Sequence, residues 1–76
     1  MEVIDIFNFD KLVGRIIEIY KTRSTFAEAM GMGANSLSDR LTGKIPFKTE
    51  EIYMAMELLD IPPSELYLYF FTPKVR

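Results

Sequence analysis

Side chains able to do chemistry are scarce in this chain, and the scarcity is selective. There is no histidine and no cysteine, so the usual general base, the commonest zinc ligand, a thiolate nucleophile and a disulfide staple are all missing. Ser24, Ser36, Ser38 and Ser64 therefore have no imidazole to take a proton, and no lysine stands near one in a recognisable nucleophile motif. Glu50 with Glu51, and Glu57 with Asp60, are the carboxylate pairs that a metal or an acid–base mechanism would use. Solvated helix faces account for them better. Gly31 and Gly33 punctuate helices and precede no Walker lysine, so they make no phosphate loop. The chain reads as a non-enzyme with neither metal nor organic cofactor.

What remains is charge, and its distribution matters more than its sum. The formal net charge is −2, which taken alone argues against a nucleic-acid partner. Yet Lys21 to Lys48 holds five basic residues (Lys21, Arg23, Arg40, Lys44, Lys48) against two acidic ones (Glu28, Asp39), a local +3. The remainder holds four basic residues against nine acidic, or −5. Such segregation has meaning only if the basic segment also carries a binding motif.

The elements that would position these residues follow from hydrophobic spacing and helix punctuation. Asn8 or Asp10 can cap a first helix running to about Tyr20, with Leu12, Ile16, Ile19 and Tyr20 inward and Val13 and Ile17 widening the stripe. A second runs from about Arg23 to Met30, capped by Thr22, with Phe26, Ala27 and Met30 inward and Gly31 at its end. Thr25 and Glu28 also have capping-box spacing and would start it later. The third spans about Gly33 to Thr42, with Leu37 and Leu41 inward and Gly43 closing it. After a loop broken by Pro46, Thr49 caps a fourth helix that ends near Asp60, with Glu50 and Glu51 in its first turn. Ile52, Met56 and Leu59 form its inner stripe. Pro62-Pro63 opens a fifth, and Thr72-Pro73 stops it. Residues 3–9 (VIDIFNF) are a short strand or an ordered arm. The expectation is one all-α, compact five-helix domain over residues 1–76, with a helix-turn-helix at about 22–43.

The register of TFAEAMGMGANSLSDRLTG is more telling than the mere presence of two helices and a glycine turn. Small Ala27 lies four residues before Gly31, Met32 can plug the core from the turn, and Leu37 follows five residues later. Over Ala27–Lys44, and on through LLDIPPSEL at 58–66, the chain resembles the lambda-repressor-like (Xre, Cro/CI) helix-turn-helix family. Its closing YFFTPKV also looks like small phage and prophage regulators. The resemblance covers about Asp10 to Phe71. It implies a sequence-specific, double-stranded DNA-binding transcriptional regulator, repressor-like, with Gly31 and Met32 as the turn and 33–42 as the recognition helix in the major groove.

On that reading Ala34, Asn35, Ser36, Ser38 and Asp39 face the bases, Arg23 meets the DNA backbone, and Lys44 and Lys48 meet phosphate. Physical chemistry adds that an asparagine amide can both donate to and accept from adenine, which makes Asn35 the best base reader. Ala34 offers contact only to a thymine methyl, while Ser36 and Ser38 can reach base or phosphate. Asp39 is acidic where many relatives are neutral or basic. It can accept from cytosine N4, pair with Arg40 or Lys44, or weaken binding. Arg40 stands where many relatives are apolar, so its stem can cover the core while its head reaches phosphate.

Tyr67, Tyr69, Phe70 and Phe71 exceed what one face of a short helix can bury. They mark a homodimer interface, in competition with packing onto Phe7 and Phe9. The alternative function is a protein-interaction module, an antirepressor or assembly domain that keeps the fold without DNA binding. No apolar run reaches the roughly 18 residues of a membrane span, no signal peptide is read, and no effector pocket is evident. A reducing cytoplasm, bacterial or phage-infected, is the expected location.

Overall fold

The computed structural model describes residues 7–74, so residues 3–6 of the expected arm lie outside the described residues. Five α-helices succeed one another: α1 (Asp10–Tyr20), α2 (Arg23–Met30), α3 (Ala34–Leu41), α4 (Thr49–Leu58) and α5 (Leu66–Phe70). A 3₁₀ turn over Pro63–Glu65 leads into α5, so what the sequence presents as one fifth helix is a tight turn followed by a short α segment. The all-α architecture is the one the periodicity predicts.

Each helix starts and stops for a local reason. The cap position of α1 is Phe9, whose side chain makes no capping bond, and the Asp10 amide is met instead by Asn8 Oδ1 at 2.7 Å. The Thr25 amide donates to Thr22 Oγ1 at 3.1 Å and caps α2 as expected. At α4 the cap position belongs to Lys48 rather than Thr49. A lysine side chain has no acceptor, so the first turn is held from the other side: the Lys48 amide donates to Glu51 Oε1 at 2.9 Å.

Three helices end by one device. Gly31, Gly43 and Asp60 take φ of +76°, +85° and +55°. In each case the next residue's amide reaches five residues back: Met32 to Ala27, Lys44 to Asp39, Ile61 to Met56, all at 2.9 Å. This is the Schellman closure. Asp60 is the non-glycine among them, and an aspartate tolerates the left-handed region better than most side chains.

The core draws on every helix. Leu12 and Ile16 of α1, Phe26, Ala27 and Met30 of α2, Leu37 of α3, and Ala55 and Met56 of α4 are buried, as are Leu59, Ile61 and Phe70. α2 packs against α1, α3 and α4, and α5 returns against α1. One expectation fails on α1: Ile19 and Ile17 are 38% and 41% exposed. Its buried stripe is narrow, running through Leu12 and Ile16 to Tyr20, because α2 and α5 cover that side only. Tyr20 completes the stripe with its ring 5.3 Å from that of Phe26 and its hydroxyl donating to the Leu58 carbonyl at 3.4 Å.

The two ends of the described chain lie side by side. Phe7 pairs antiparallel with Pro73 as an isolated bridge, and the Asn8 amide donates to the Thr72 carbonyl at 2.7 Å. Above this tie runs a seam of edge-to-face phenylalanines. Phe71 meets Phe7 at 5.4 Å, Phe7 meets Phe9 at 6.5 Å, Phe9 meets Phe47 at 5.4 Å, and Phe47 meets Phe70 at 5.4 Å. Such pairs contribute about 0.5–1.5 kcal/mol each beyond their burial. The seam anchors the α3–α4 loop to both ends of the described chain.

Candidate nucleic-acid interface

Placement of α3 begins with Ala27. Its methyl is the whole side chain, it is fully buried, and it stands where α2 meets α3. Gly31 then reverses the chain with φ +76° and an amide that donates to the Glu28 carbonyl at 3.0 Å. Met32 turns back half-buried against the core, and extended Gly33 launches α3 with no side-chain cap. The first amides of α3 are thus left to external acceptors, as at helix N-termini that meet phosphate.

Register divides α3 into two faces. Leu37 is fully buried and Leu41 half-buried, and both point to the core. Ala34, Asn35, Ser38 and Thr42 are exposed, while Ser36 and Asp39 are half-buried at the edges. Asn35, Ser38, Asp39 and Thr42 follow i, i+3, i+4, i+7 spacing and so share the solvent face. The Asp39 carboxylate has no ion pair among the described residues, so it is paired with neither Arg40 nor Lys44. Arg23 at the start of α2, and Lys44 and Lys48 in the loop after α3, are exposed and also without an ion pair among those residues.

Arg40 is placed differently from the phosphate-reaching role read from the sequence. Its stem does cover the core side, but its head turns inward. Nε donates to Glu51 Oε1 at 2.9 Å, Nη2 to Glu51 Oε2 at 3.0 Å, and Nη1 to the Ser36 carbonyl at 3.0 Å. The two side chains are 12% and 16% exposed. The forked hydrogen bond from Arg40 holds the Glu51 carboxyl below the usual glutamate range against the opposing effect of burial, helped by the Lys48 amide and by the charges of Arg40 and Lys48. The same bond raises Arg40, against the desolvation that lowers it. The pair ties α3 to the first turn of α4. Sequence reading gave Glu51 to the helix dipole and to a solvated helix face, and the second fails because its carboxylate is turned onto Arg40; a contact made across a non-periodic loop leaves no spacing signal.

The C-terminal aromatics divide as well. Phe70 is 2% exposed and belongs to the core, so it cannot serve as a dimer contact. Phe71 is half-buried against Phe7, and Tyr69 is half-buried with the Lys11 ammonium 5.0 Å from its ring centre. Tyr67 at 62% and its neighbour Leu68 at 49% stay exposed. Phe7, Phe9 and Phe47 account for the rest, because they bring a second aromatic layer from outside the helix.

Among the described residues no cluster of His, Cys, Asp or Glu could hold a metal ion, and no helix is long and apolar enough to cross a membrane. Residues 5–73 match the family described as "Protein of unknown function (DUF739)". No curated protein matches the chain. Among solved structures, the modulator of repression (MOR) of the temperate bacteriophage TP901-1 from Lactococcus lactis, determined in solution, is similar at 34% identity. The match covers 92% of this chain and 95% of that one, with a TM-score of 0.78.

Proposed function

Because this chain belongs to the DUF739 family and shares its fold with a phage modulator of repression, we propose that it is a phage-type transcriptional regulator that binds double-stranded DNA through α3. The observation that carries this reading is Asn35, exposed in the first turn of a helix whose opposite side is anchored by Leu37. Arg23, Lys44 and Lys48 flank it in the chain as exposed cations. α3 lies in the major groove, Asn35 reads adenine, Ala34 and Ser38 contact neighbouring base edges, and the three cations neutralise phosphates. The chain forms a homodimer through Tyr67 and Leu68, which sets two α3 helices on half-sites about one DNA turn apart.

A second reading has its own observation. Arg40 is withdrawn into its pair with Glu51, while Asp39 remains acidic on the solvent face. That face is poorer in positive charge than the sequence suggests, and it suits a protein surface that modulates repression without touching DNA. Selection from a random duplex pool at moderate salt separates the two. Enrichment of a palindrome supports DNA reading by a dimer. Retention without enrichment, or none, moves the function to a protein partner.

A further inference from the structure

On the α4 flank, away from the Asn35 face in sequence and charge, a shallow groove of about 740 Å³ is lined by Tyr53, Met56, Glu57, Asp60, Ile61 and the Pro62–Pro63 pair. Its floor is apolar, with Met56 and Ile61 at 6% and 5% exposure. Its wall on α4 is Tyr53, 62% exposed, beside Met54 at 44%. Such large apolar groups remain in water only at a cost, and they follow the stripe Glu50, Tyr53, Met54, Glu57 along one helix face. Glu50, Glu57 and Asp60 are exposed and form no ion pair among the described residues. The groove also lies in the part of the sequence that carries the −5 charge. Arg15 reaches the Asp60 backbone carbonyl at 3.5 Å but forms no ion pair with its carboxylate. Apolar floor, aromatic wall and the acidic rim of Glu57 and Asp60 together specify what fits: an aliphatic side chain below, a Lys or Arg cation over the tyrosine ring, and further cations against those two carboxylates.

We propose that this groove docks a basic, amphipathic segment of a protein partner. A second copy of this chain is a poorer occupant, because Phe47, the aromatic anchor between its own exposed Lys44 and Lys48, is already packed into the aromatic seam. Nucleic acid is repelled by the rim. The inference does not depend on α3 reading DNA, since no residue of the groove lies on that helix.

The test is titration of the ¹⁵N-labelled full chain with a synthetic amphipathic helical peptide of leucine and lysine, beside the same peptide with glutamate in place of lysine. Shifts centred on Tyr53, Glu57, Asp60 and Ile61, produced by the lysine peptide alone, are the expected result. The double variant Glu57→Gln, Asp60→Asn should weaken that binding about fivefold or more, and Asn keeps the left-handed tolerance Asp60 needs. Tyr53→Ala, at an exposed position, should weaken it by a similar factor with an unchanged melting temperature, so a folding defect in the double variant leaves the question answerable. Asn35→Ala should leave the peptide affinity as it was. Equal binding of both peptides overturns the proposal, as do shifts centred on α3 or concentration-dependent shifts in the groove without peptide, which would assign it to self-association.

Discussion

Arg40 and Glu51 meet fork to fork, Nε to Oε1 at 2.9 Å and Nη2 to Oε2 at 3.0 Å, and the same carboxylate accepts the Lys48 amide at 2.9 Å. Three segments are tied by this one contact: the end of α3, the loop that carries Lys44, and the start of α4. Orientation of α3, the proposed reading helix, thus depends on a carboxylate outside it.

Glu51→Gln removes the charge and leaves the guanidinium half-compensated. A hydrogen bond to a charged group is worth about 1.5–3 kcal/mol, so the melting temperature should fall by about 6–24 °C for a domain of this size. Replacing both partners by apolar residues, Arg40→Met with Glu51→Leu, should recover most of the loss, since a well-packed apolar pair often equals a buried ion pair. A double variant less stable than Glu51→Gln would show that the Lys48 cap dominates, since a glutamine oxygen can still accept the Lys48 amide and leucine cannot.

Acid should weaken the fold through the same residue. Glu51 has a depressed folded-state pKa, so its contribution is complete above the unfolded-state value of about 4.3 and disappears as pH falls through the folded-state value. The melting difference between the wild type and Glu51→Gln should be constant from pH 7 to about 5 and close below about 4. A difference that stays constant to pH 3 would contradict the pairing.

Gly31→Ala tests the turn. Space is not the obstacle, because an added Cβ meets nothing within 4 Å. The obstacle is φ of +76°, which costs an L-residue about 1–2 kcal/mol. Gly33→Ala, also in open space but with φ of −76°, should cost less. Chemical denaturation of the two variants gives the comparison directly.

Phe70→Ala should be severe and Tyr67→Ala mild. Phe70 is buried behind Phe47, and deleting a core phenylalanine costs about 3–5 kcal/mol, a large fraction of what a small domain has. Tyr67 is 62% exposed, so its removal should change monomer stability by no more than about 0.5 kcal/mol. If it also abolishes a dimer seen by sedimentation at micromolar concentration, the exposed part of α5 is the contact.

On the proposed reading face, Asn35→Ala should cost about 1–3 kcal/mol on the preferred duplex and relax specificity at one base position. Lys44→Ala should weaken preferred and scrambled duplexes alike and reduce the salt slope by about one unit. An unchanged ratio between duplexes for Asn35→Ala would remove that residue from base reading.

Local signals determined much of this protein from the sequence alone. The five-helix order, the Thr22 cap, the reversals at Gly31 and Gly43, and the burial of Phe26, Ala27, Met30 and Leu37 follow from 3.6-residue spacing and from residues suited to a cap or a positive φ. Asn35 was likewise placed on the solvent face, because one register buries Leu37 and exposes its neighbours. Only the tertiary structure decided that Arg40 faces Glu51, that Phe70 is core, and that Ile19 is not. Each of these depends on what another segment presents at the point of contact. A single helix's periodicity records which side is apolar, but it holds no information about how wide the covering neighbour is or which charge waits across a loop.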